Sequence, residues 1–363
     1  MANFSVKMNS TKMKAARHFF TLTLLVLGSV LLTFTAVEIL YRILVSDDKT
    51  VKIVNERLYD TLKDKKLGAI LKANHSYTAR KYAVSVSDGH REEIYEVVYT
   101  MDERHRRTVG HQIIPDSPHV LLFGGSFFFG EGLRDEQTLQ HQLKLRMPNT
   151  NIYNYAVHGW GTNGMLGVIE SVDLPREVQS SKGIAIYGYL WFHEDRNIGS
   201  IRTGWATKFP YYEPDVDGNL TSHGTIYEGR PVLMSLNSGL RKLGKFSKLL
   251  SLINIDFGRW CINPAKLTAQ IIIESKRRYE KMFDGEFIVL IHPLNSKIPD
   301  PEKGSHQSVL DQLAIAGIRV LHLPIETSEE SAIPNDGHPS AQLNREIARE
   351  LAMTETMRHL FGL

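Results

Sequence analysis

The chain has 363 residues, which is enough for one large α/β domain with appended segments. Its hydrophobic content of 42% and charged content of 23% are ordinary for a globular protein, and a net charge of +3 without interleaved basic and aromatic residues argues against a dedicated nucleic-acid binder. The single cysteine, Cys261, excludes an intrachain disulfide framework and a cysteine-based zinc cluster.

The N-terminal segment predicts a membrane anchor. Residues 1–17 carry several basic residues and no acidic one, and residues 19–37 form an uncharged run long enough to cross a bilayer as a helix. Because the positive flank of a span stays inside, we expect a cytoplasmic N-terminus at 1–17, an anchor at 18–45, and all later residues on the outer side. A cleaved signal peptide is the alternative, although the apolar run exceeds a usual signal and no clean cleavage site follows it.

Residues 46–117 predict a small mixed region ahead of the main domain. The charged segment 47–66 predicts partly helical structure, and residues 92–101, rich in β-branched and aromatic side chains, predict a strand. The basic cluster 104–107 fits a solvated turn, with a functional role as the alternative. This region indicates no chemistry of its own.

From residue 118 the chain alternates between strands and helices. The predicted strands are 120–123, 151–156, 183–189, 287–291 and 319–323. The predicted helices are 135–147, a stretch ending near 172, 267–282, 309–316 and 340–353. This pattern predicts an α/β fold of three layers, α/β/α, with a mainly parallel five-stranded, flavodoxin-like sheet. In such sheets, functional sites form at the carboxyl ends of the strands.

One segment, 198–262, interrupts the alternation and is predicted to be an insertion in a catalytic domain that spans 118–363. It begins with loop-forming residues and continues with the basic, amphipathic stretch 240–250. That stretch fits a lid, a helix lying on the membrane face, or an ordinary surface helix.

The turn after the first of these strands carries a candidate nucleophile. Ser126 follows Gly124 and Gly125 directly after a buried apolar run and precedes three phenylalanines and two further glycines. A serine on a tight turn between a strand and a helix can expose its hydroxyl, as nucleophilic catalysis requires. Taken alone, the Gly-Gly-Ser sequence also fits an ordinary turn.

The loop before the last helix carries the candidate partners of that serine. A serine nucleophile needs a base for its proton and a carboxylate that orients the base, and Asp336 and His338 lie two positions apart on this loop. Alone, Asp-Gly-His also fits a turn closed by an Asx bond. An oxyanion site needs N–H donors, for which the backbone amides of Ser126 and Gly159 are candidates.

Three segments together resemble the SGNH, or GDSL-type, hydrolase superfamily, specifically its single-pass membrane-anchored bacterial members. The matching segments are 123–133, 153–163 and 335–339, and the lead-in segments 66–74 and 99–102 also resemble those members. The resemblance implies that Ser126 is the nucleophile, that Gly159 is the oxyanion glycine, and that Asp336 and His338 complete the triad.

Two positions depart from the family's pattern. Gly125 stands where the family often has aspartate, which affects support of the turn rather than the nucleophile. The third family segment usually ends its strand with an asparagine that donates to the oxyanion, whereas this strand runs into the charged segment 192–197. Candidates for the replacement donor are His193, which is favoured, Asn163 and Asn197. Alternatively, His193 and Arg196 only pair with the neighbouring carboxylates to order the loop.

The resemblance implies a serine esterase, acyl hydrolase or acyltransferase that acts on an acylated envelope carbohydrate or lipid through an acyl-serine intermediate, without a metal or cofactor. With the predicted anchor, the expected location is the outer face of the bacterial inner membrane, with the bilayer as a partner and no nucleic acid. The alternative is a catalytically silent carbohydrate-binding or scaffold protein of envelope assembly. A redox or nucleotide-binding α/β enzyme is disfavoured because the first turn is not Gly-x-Gly-x-x-Gly and holds three phenylalanines.

Overall fold

The computed structural model describes residues 10–45, 50–57, 61–108, 110, 112–252, 256–296 and 298–362. Its strands in chain order are β1 (Val51–Arg57), β2 (Leu62–Asp64), β3 (Gly68–Ile70), β4 (His75–Ser85), β5 (Arg91–Met101), β6 (His119–Phe123), β7 (Asn151–Asn154), β8 (Lys182–Tyr189), β9 (Pro210–Pro214), β10 (Leu220–Thr225), β11 (Asp284–Ile291) and β12 (Arg319–His322).

Its α-helices in chain order are α1 (Ser10–Leu44), α2 (Ser126–Phe129), α3 (Leu139–Arg146), α4 (Thr162–Ser171), α5 (Leu174–Val178), α6 (His193–Ile198), α7 (Ile226–Gly229), α8 (Pro231–Gly244), α9 (Lys248–Leu252), α10 (Phe257–Cys261), α11 (Pro264–Met282), α12 (Asp300–Ile315), α13 (Ala341–Met353) and α14 (Glu355–Phe361). Short 3-10 turns lie at Asp135–Gln137, Ile201–Thr203, Ala206–Lys208, Pro293–Ser296 and Glu329–Ser331.

The chain forms two compact units, of which the first comprises residues 1–48 and 239–254. Among the described residues, one helical stretch, Ala15–Leu44 in α1, is long and apolar enough to cross a membrane, a property that N-terminal signal sequences share. Near its end, the Glu38 carboxylate accepts hydrogen bonds from the backbone N–H groups of Lys248 (2.9 Å) and Leu249 (3.0 Å). Glu38 thereby satisfies amides of the first turn of α9, which a helix cannot satisfy itself.

Five parallel strands form the central sheet of the second unit, in the order β12-β11-β8-β6-β7. Counting only these five strands along the chain, the order is 2-1-3-4-5 read from the other edge, which is the flavodoxin-like arrangement. Parallel neighbours need crossover connections, and helices supply them here. The structure confirms the predicted three-layer α/β fold with a parallel five-stranded sheet.

The two faces of the sheet pack into two separate apolar cores. Successive side chains of β6 alternate between them: Leu121 and Phe123 join the core formed with α4, α11 and α12, whereas Val120 and Leu122 join the core formed with α3 and α13. All five residues of β6 are buried. Burial on both faces explains why this strand is a continuous apolar run rather than an alternating one.

Residues 51–101 contribute an antiparallel sheet of order β1-β4-β5. Tyr77, Tyr95 and Tyr99 of this sheet lie in the same core as α3 and α13. The strand predicted at 92–101 is confirmed, but the helical prediction for 47–66 is wrong in its described part, where β1 pairs with β4 instead. A partner strand distant in sequence decides this conformation, and local charge gives no sign of it.

Two element boundaries near the functional segments also differ from the prediction. The helix expected from residue 135 begins at Leu139, because Thr138 caps it by accepting the His141 N–H, and the preceding residues form a 3-10 turn. The segment after β8, expected as a loop, forms the short helix α6. Both differences place side chains next to the carboxyl ends of the central strands.

Candidate active site

Ser126 sits on a tight turn at the carboxyl end of β6. The strand ends at Phe123, two glycines follow, and Ser126 is the first residue of α2. A Cβ on Gly125 would lie 2.7 Å from the carbonyl oxygen of Trp160, closer than real contacts allow. The backbone of the second family segment therefore approaches the nucleophile turn so closely that only glycine fits without movement.

The loop of Asp336 and His338 is held by its own backbone. The Ile333 N–H donates to the His338 carbonyl at 2.8 Å, and Asn335 and Gly337 adopt positive φ values of 58° and 85°. The Asp336 Oδ2 accepts the backbone N–H of His338 at 3.2 Å, so the Asx-type bond considered from the sequence is present. The same oxygen lies 2.6 Å from His338 Nδ1, so the turn and the pairing coexist.

The structure brings Ser126, His338 and Asp336 together, although Ser126 and His338 are 212 positions apart. Ser126 Oγ lies 2.9 Å from His338 Nε2. When Asp336 is ionised it can only accept, so His338 donates from Nδ1 and presents the Nε2 lone pair to the serine hydroxyl. This is the proton path of a Ser–His–Asp triad.

Lys81 of β4 contacts the carboxylate of Asp336. Its ammonium group pairs with the second carboxylate oxygen of Asp336, and the Asp336 side chain is fully buried. Burial alone would raise the pKa of Asp336, but the hydrogen bonds and charges of His338 and Lys81 lower it on balance. The sequence analysis missed Lys81, because only the pairing of distant segments places it there.

A second carboxylate, Glu131, lies beside His338. Its Oε2 is 2.7 Å from His158 Nδ1 and 3.6 Å from His338 Nε2. The Phe127 ring packs edge-on against the His338 ring, with centroids 5.2 Å apart. Glu131 was also missed, although its place in the Gly-Glu-Gly sequence of the first family segment was a usable signal.

Ser126 and His338 line an open cavity of about 490 Å³. Its wall also contains Gly159, whose φ of +77° and a clash of its would-be Cβ with the Trp205 ring at 2.4 Å both require glycine. The remaining lining residues are Thr61, Ala69, Leu71, Glu131, Val157, His158, Arg196, Trp205, Lys208 and Phe209. The cavity thus combines Ser126 and His338, the predicted oxyanion glycine and one buried arginine.

The structure does not bring the other predicted oxyanion donors into the cavity. The amide of Asn163 donates to the Pro210 carbonyl at 2.9 Å, and that of Asn197 donates to Thr268 at 2.8 Å. His193 is wholly buried, its Nδ1 is 2.7 Å from the Tyr187 hydroxyl, and it is absent from the cavity wall. His193 and Asn197 lie on α6 and Asn163 lies on α4, and all three side chains are buried.

The alternative pairing within segment 192–197 is wrong as well. Asp195 pairs with Arg259 at 2.7 Å, and Glu194 accepts the Tyr189 hydroxyl at 2.7 Å. Neither carboxylate pairs with His193 or with Arg196 among the described residues. Arg196 instead reaches the cavity wall, which the sequence analysis did not predict.

The second unit thus has a parallel sheet of order 2-1-3-4-5, a serine on the turn after its first strand, and the Asp336 and His338 pair on its last loop. This arrangement agrees with what the resemblance to the SGNH hydrolases implies. No protein-family model and no curated protein matches the chain. Among solved structures, it is similar to a lipolytic G-D-S-L protein from Veillonella parvula, with 12% identity, a TM-score of 0.36, and coverage of 66% of this chain and 99% of that one.

Two further solved structures are similar to this chain at the same level. A psychrotrophic esterase from a Pseudoalteromonas species has 11% identity and a TM-score of 0.37, over 68% of this chain and 99% of that one. An acetyl xylan esterase from the rumen bacterium Butyrivibrio proteoclasticus has 13% identity and a TM-score of 0.37, over 87% of this chain and 86% of that one.

Proposed function

We propose that this protein is a serine esterase that cleaves or transfers an acyl group through an acyl-Ser126 intermediate. The observation that carries the proposal is the hydrogen-bonded chain from Asp336 through His338 to Ser126 in the wall of an open cavity. A silent binding protein has no use for a serine aligned with a base that is itself oriented by a buried carboxylate.

The first half-reaction forms the acyl-enzyme. Ser126 Oγ attacks the carbonyl carbon of the ester while its proton passes to His338 Nε2, and the carbonyl π electrons move onto oxygen. Backbone N–H groups of Ser126 and Gly159 are the proposed donors to that oxyanion. The intermediate then collapses, the C–O bond to the alcohol breaks, and the alcohol leaves with the proton from His338.

The second half-reaction repeats these steps with a new nucleophile. Water attacking the acyl-enzyme gives the free acid, whereas a second alcohol gives a new ester. His338 takes the proton of either nucleophile and returns it to Ser126 Oγ. Hydrolysis and transfer therefore share every group described above, and the occupancy of the cavity by water or by alcohol decides between them.

We propose an acylated carbohydrate as the substrate class. The catalytic cavity shares Thr61, Ala69 and Lys208 with a second groove of about 380 Å³. The rest of that groove sets the charged groups of Lys63 and Glu228 among apolar surface, a mixture that suits the hydroxyls and C–H faces of a sugar ring. Its other lining residues are Leu62, Gly68, Thr207, Thr225 and Tyr227.

Two half-exposed aromatic side chains support this choice of substrate. Trp205, 51% exposed, lies in the wall of the catalytic cavity, and Tyr227, 53% exposed, lies in the groove. An amphipathic ring of this kind offers an apolar face beside polar groups. A sugar ring has the matching surface, with C–H groups on its faces and hydroxyls at its edge.

We also propose that α1 anchors the protein in the bacterial inner membrane with its N-terminus in the cytoplasm and the catalytic unit outside. The basic residues before the span and its apolar length support this orientation. Alkaline extraction of membranes followed by N-terminal sequencing tests it. We expect an intact N-terminus in the membrane pellet; a soluble, shortened chain would show a cleaved signal instead.

The proposed chemistry is tested with the full-length protein in detergent and p-nitrophenyl acetate as the substrate. We expect turnover by the wild type and covalent labelling by a fluorescent phosphonate, both abolished in Ser126→Ala. Ser308→Ala, a substitution on α12 outside the catalytic cavity, is the matched control and should keep both. Labelling of Ser126→Ala equal to that of the wild type would remove Ser126 from its role, and an inactive wild type would favour the binding protein.

A further inference from the structure

Arg196 of α6 is a buried cation in the wall of the catalytic cavity. Only 7% of the residue is exposed, and it lines the same cavity as Ser126 and Gly159. Its Nη1 donates to the carbonyl oxygen of Trp160 at 2.7 Å, directly after Gly159. The guanidinium group therefore lies next to the turn that carries the oxyanion glycine.

The hydrogen-bonding capacity of Arg196 is mostly unused in the described part of the chain. A guanidinium has five N–H donors. The buried Nε has no hydrogen-bond partner, and no described carboxylate forms an ion pair with this residue. Burial lowers the pKa of Arg196 to about 10, so the group stays charged at neutral pH. Burial of this cation is costly, and the charges of Glu131 and Asp195 offset only part of that cost, so further negative charge in the cavity would stabilise the guanidinium.

Two aromatic rings contact the Arg196 guanidinium. Its Cζ lies 4.7 Å from the Phe192 ring centroid and 5.2 Å from that of Trp205. Such contacts stabilise the cation without using its N–H groups.

The Arg196 guanidinium occupies the space that a side chain at position 125 would need. A Cβ at position 125 would lie 2.8 Å from Arg196 Nη1 and 3.3 Å from His193 Nε2. An aspartate at this position, as the family often has, would collide with the guanidinium in its present place. The two departures from the family's pattern, in the first and third segments, thus meet at a single point beside the nucleophile.

We propose that Arg196 is the side-chain donor to the oxyanion, in place of the asparagine that the third segment lacks. This inference rests on the proposed esterase function. Arg196 lies between the turn that carries Ser126 and the turn that carries Gly159, and it lines the same cavity as both residues. It differs from an amide donor in adding a full positive charge.

The role of Arg196 in the reaction is electrostatic. As Ser126 Oγ bonds to the carbonyl carbon, the π electron pair moves to the carbonyl oxygen, and the guanidinium N–H groups donate to the resulting oxyanion. When the intermediate collapses, the pair returns to re-form the carbonyl and the C–O bond of the leaving alcohol breaks. Arg196 keeps its protons throughout, because its pKa stays well above neutral.

The test uses the full-length protein with p-nitrophenyl acetate, a neutral ester without a carboxylate. We expect Arg196→Ala to lower kcat by about 100- to 1,000-fold with little change in KM, as for the removal of other oxyanion donors. Added guanidinium chloride at millimolar concentration should restore part of kcat, whereas urea, its uncharged planar analogue, should not. Arg277→Ala, an exposed arginine substitution on α11, is the matched control and should leave kcat unchanged.

A structural role alone would not produce rescue by guanidinium. If Arg196→Ala fails to fold, Arg196→Lys and Arg196→Gln replace it; the lysine variant keeps the charge and should retain at least about tenfold more kcat than the glutamine variant. An unchanged kcat in a folded Arg196→Ala variant would overturn the proposal. So would a defect confined to the KM of carboxylate-bearing esters, which would make Arg196 a substrate-binding group. An inactive wild type would overturn the esterase proposal as well, so the two failures are distinguishable.

Discussion

The carboxyl ends of the neighbouring strands β6 and β8 place groups in the candidate site in two different ways. After β6, the backbone itself defines the site: a tight glycine turn presents Ser126, and the local sequence is sufficient to predict it. After β8, a side chain from a helix lies in the cavity wall, and it is that of Arg196, although His193 and two asparagines were the expected donors. A backbone feature is fixed by local sequence, whereas a donor group can come from any residue that packing brings close.

Removal of His338, the proposed base for Ser126, should have the largest effect on kcat. We expect His338→Ala to lower kcat by about 10⁴-fold, because the proton path to Ser126 is lost while backbone oxyanion donors remain. The double variant with Ser126→Ala should be no worse than either single one, since the two groups act as a unit. Steady-state kinetics with an active-site titration measure this; additive losses would show that the two residues act separately.

The next largest effect is expected at Gly125, which lies beside Arg196. Gly125→Asp should lower kcat by about 10- to 100-fold, because the new side chain displaces Arg196 from the cavity wall. Gly125→Ala introduces the Cβ contacts with Trp160 and Arg196 without a carboxylate and should lower the free energy of unfolding by about 1–3 kcal/mol. Kinetics and denaturant titration measure the two effects. An aspartate variant as active as the wild type would show that Arg196 and residue 125 are independent.

Lys81 tests how far the triad depends on a distant segment. Lys81→Met should lower kcat by about tenfold, because Asp336 loses its second partner, and Lys81→Arg should restore most of it. With a pKa below its unfolded value, ionised Asp336 stabilises the fold above about pH 4, and this is lost as the pH falls through its folded pKa. Lys81→Met should therefore move acid unfolding, followed by circular dichroism, to higher pH. An unmoved transition would contradict the role of the pair.

The smallest expected effect is the pH dependence of stability that two buried histidines, His119 and His292, cause. Burial lowers the pKa of His119 to about 4, and burial with the nearby His338 lowers that of His292 to about 3. Since the unfolded chain binds these protons near pH 6.5, stability should fall as the pH drops from about 7 to 5, by about 1–2 kcal/mol for each group. Urea unfolding measures this, and His119→Gln should flatten the dependence. An equal slope in that variant would exclude His119 as a cause.

Features that depend on local interactions were predicted from the sequence, whereas features that depend on contacts between distant segments were missed. The strands of the central sheet were placed within a few residues, because burial on both faces demands apolar runs such as that of β6. The segment 47–66 was misassigned, because β1 forms only through pairing with β4. Likewise Glu131 and Lys81 were overlooked, one inside a recognised motif and the other on a strand without any catalytic signal.

The amino-acid sequence by itself determined the alternation of strands and helices, the apolar N-terminal helix, and the candidate residues Ser126, Asp336 and His338. These features depend on periodicity, turn chemistry and residue type, which act over a few positions. The tertiary structure alone decided that the serine and the histidine meet and that Arg196 rather than His193 faces the cavity. Such choices depend on which side chains fill a shared space, and close packing settles them only when the whole unit is assembled.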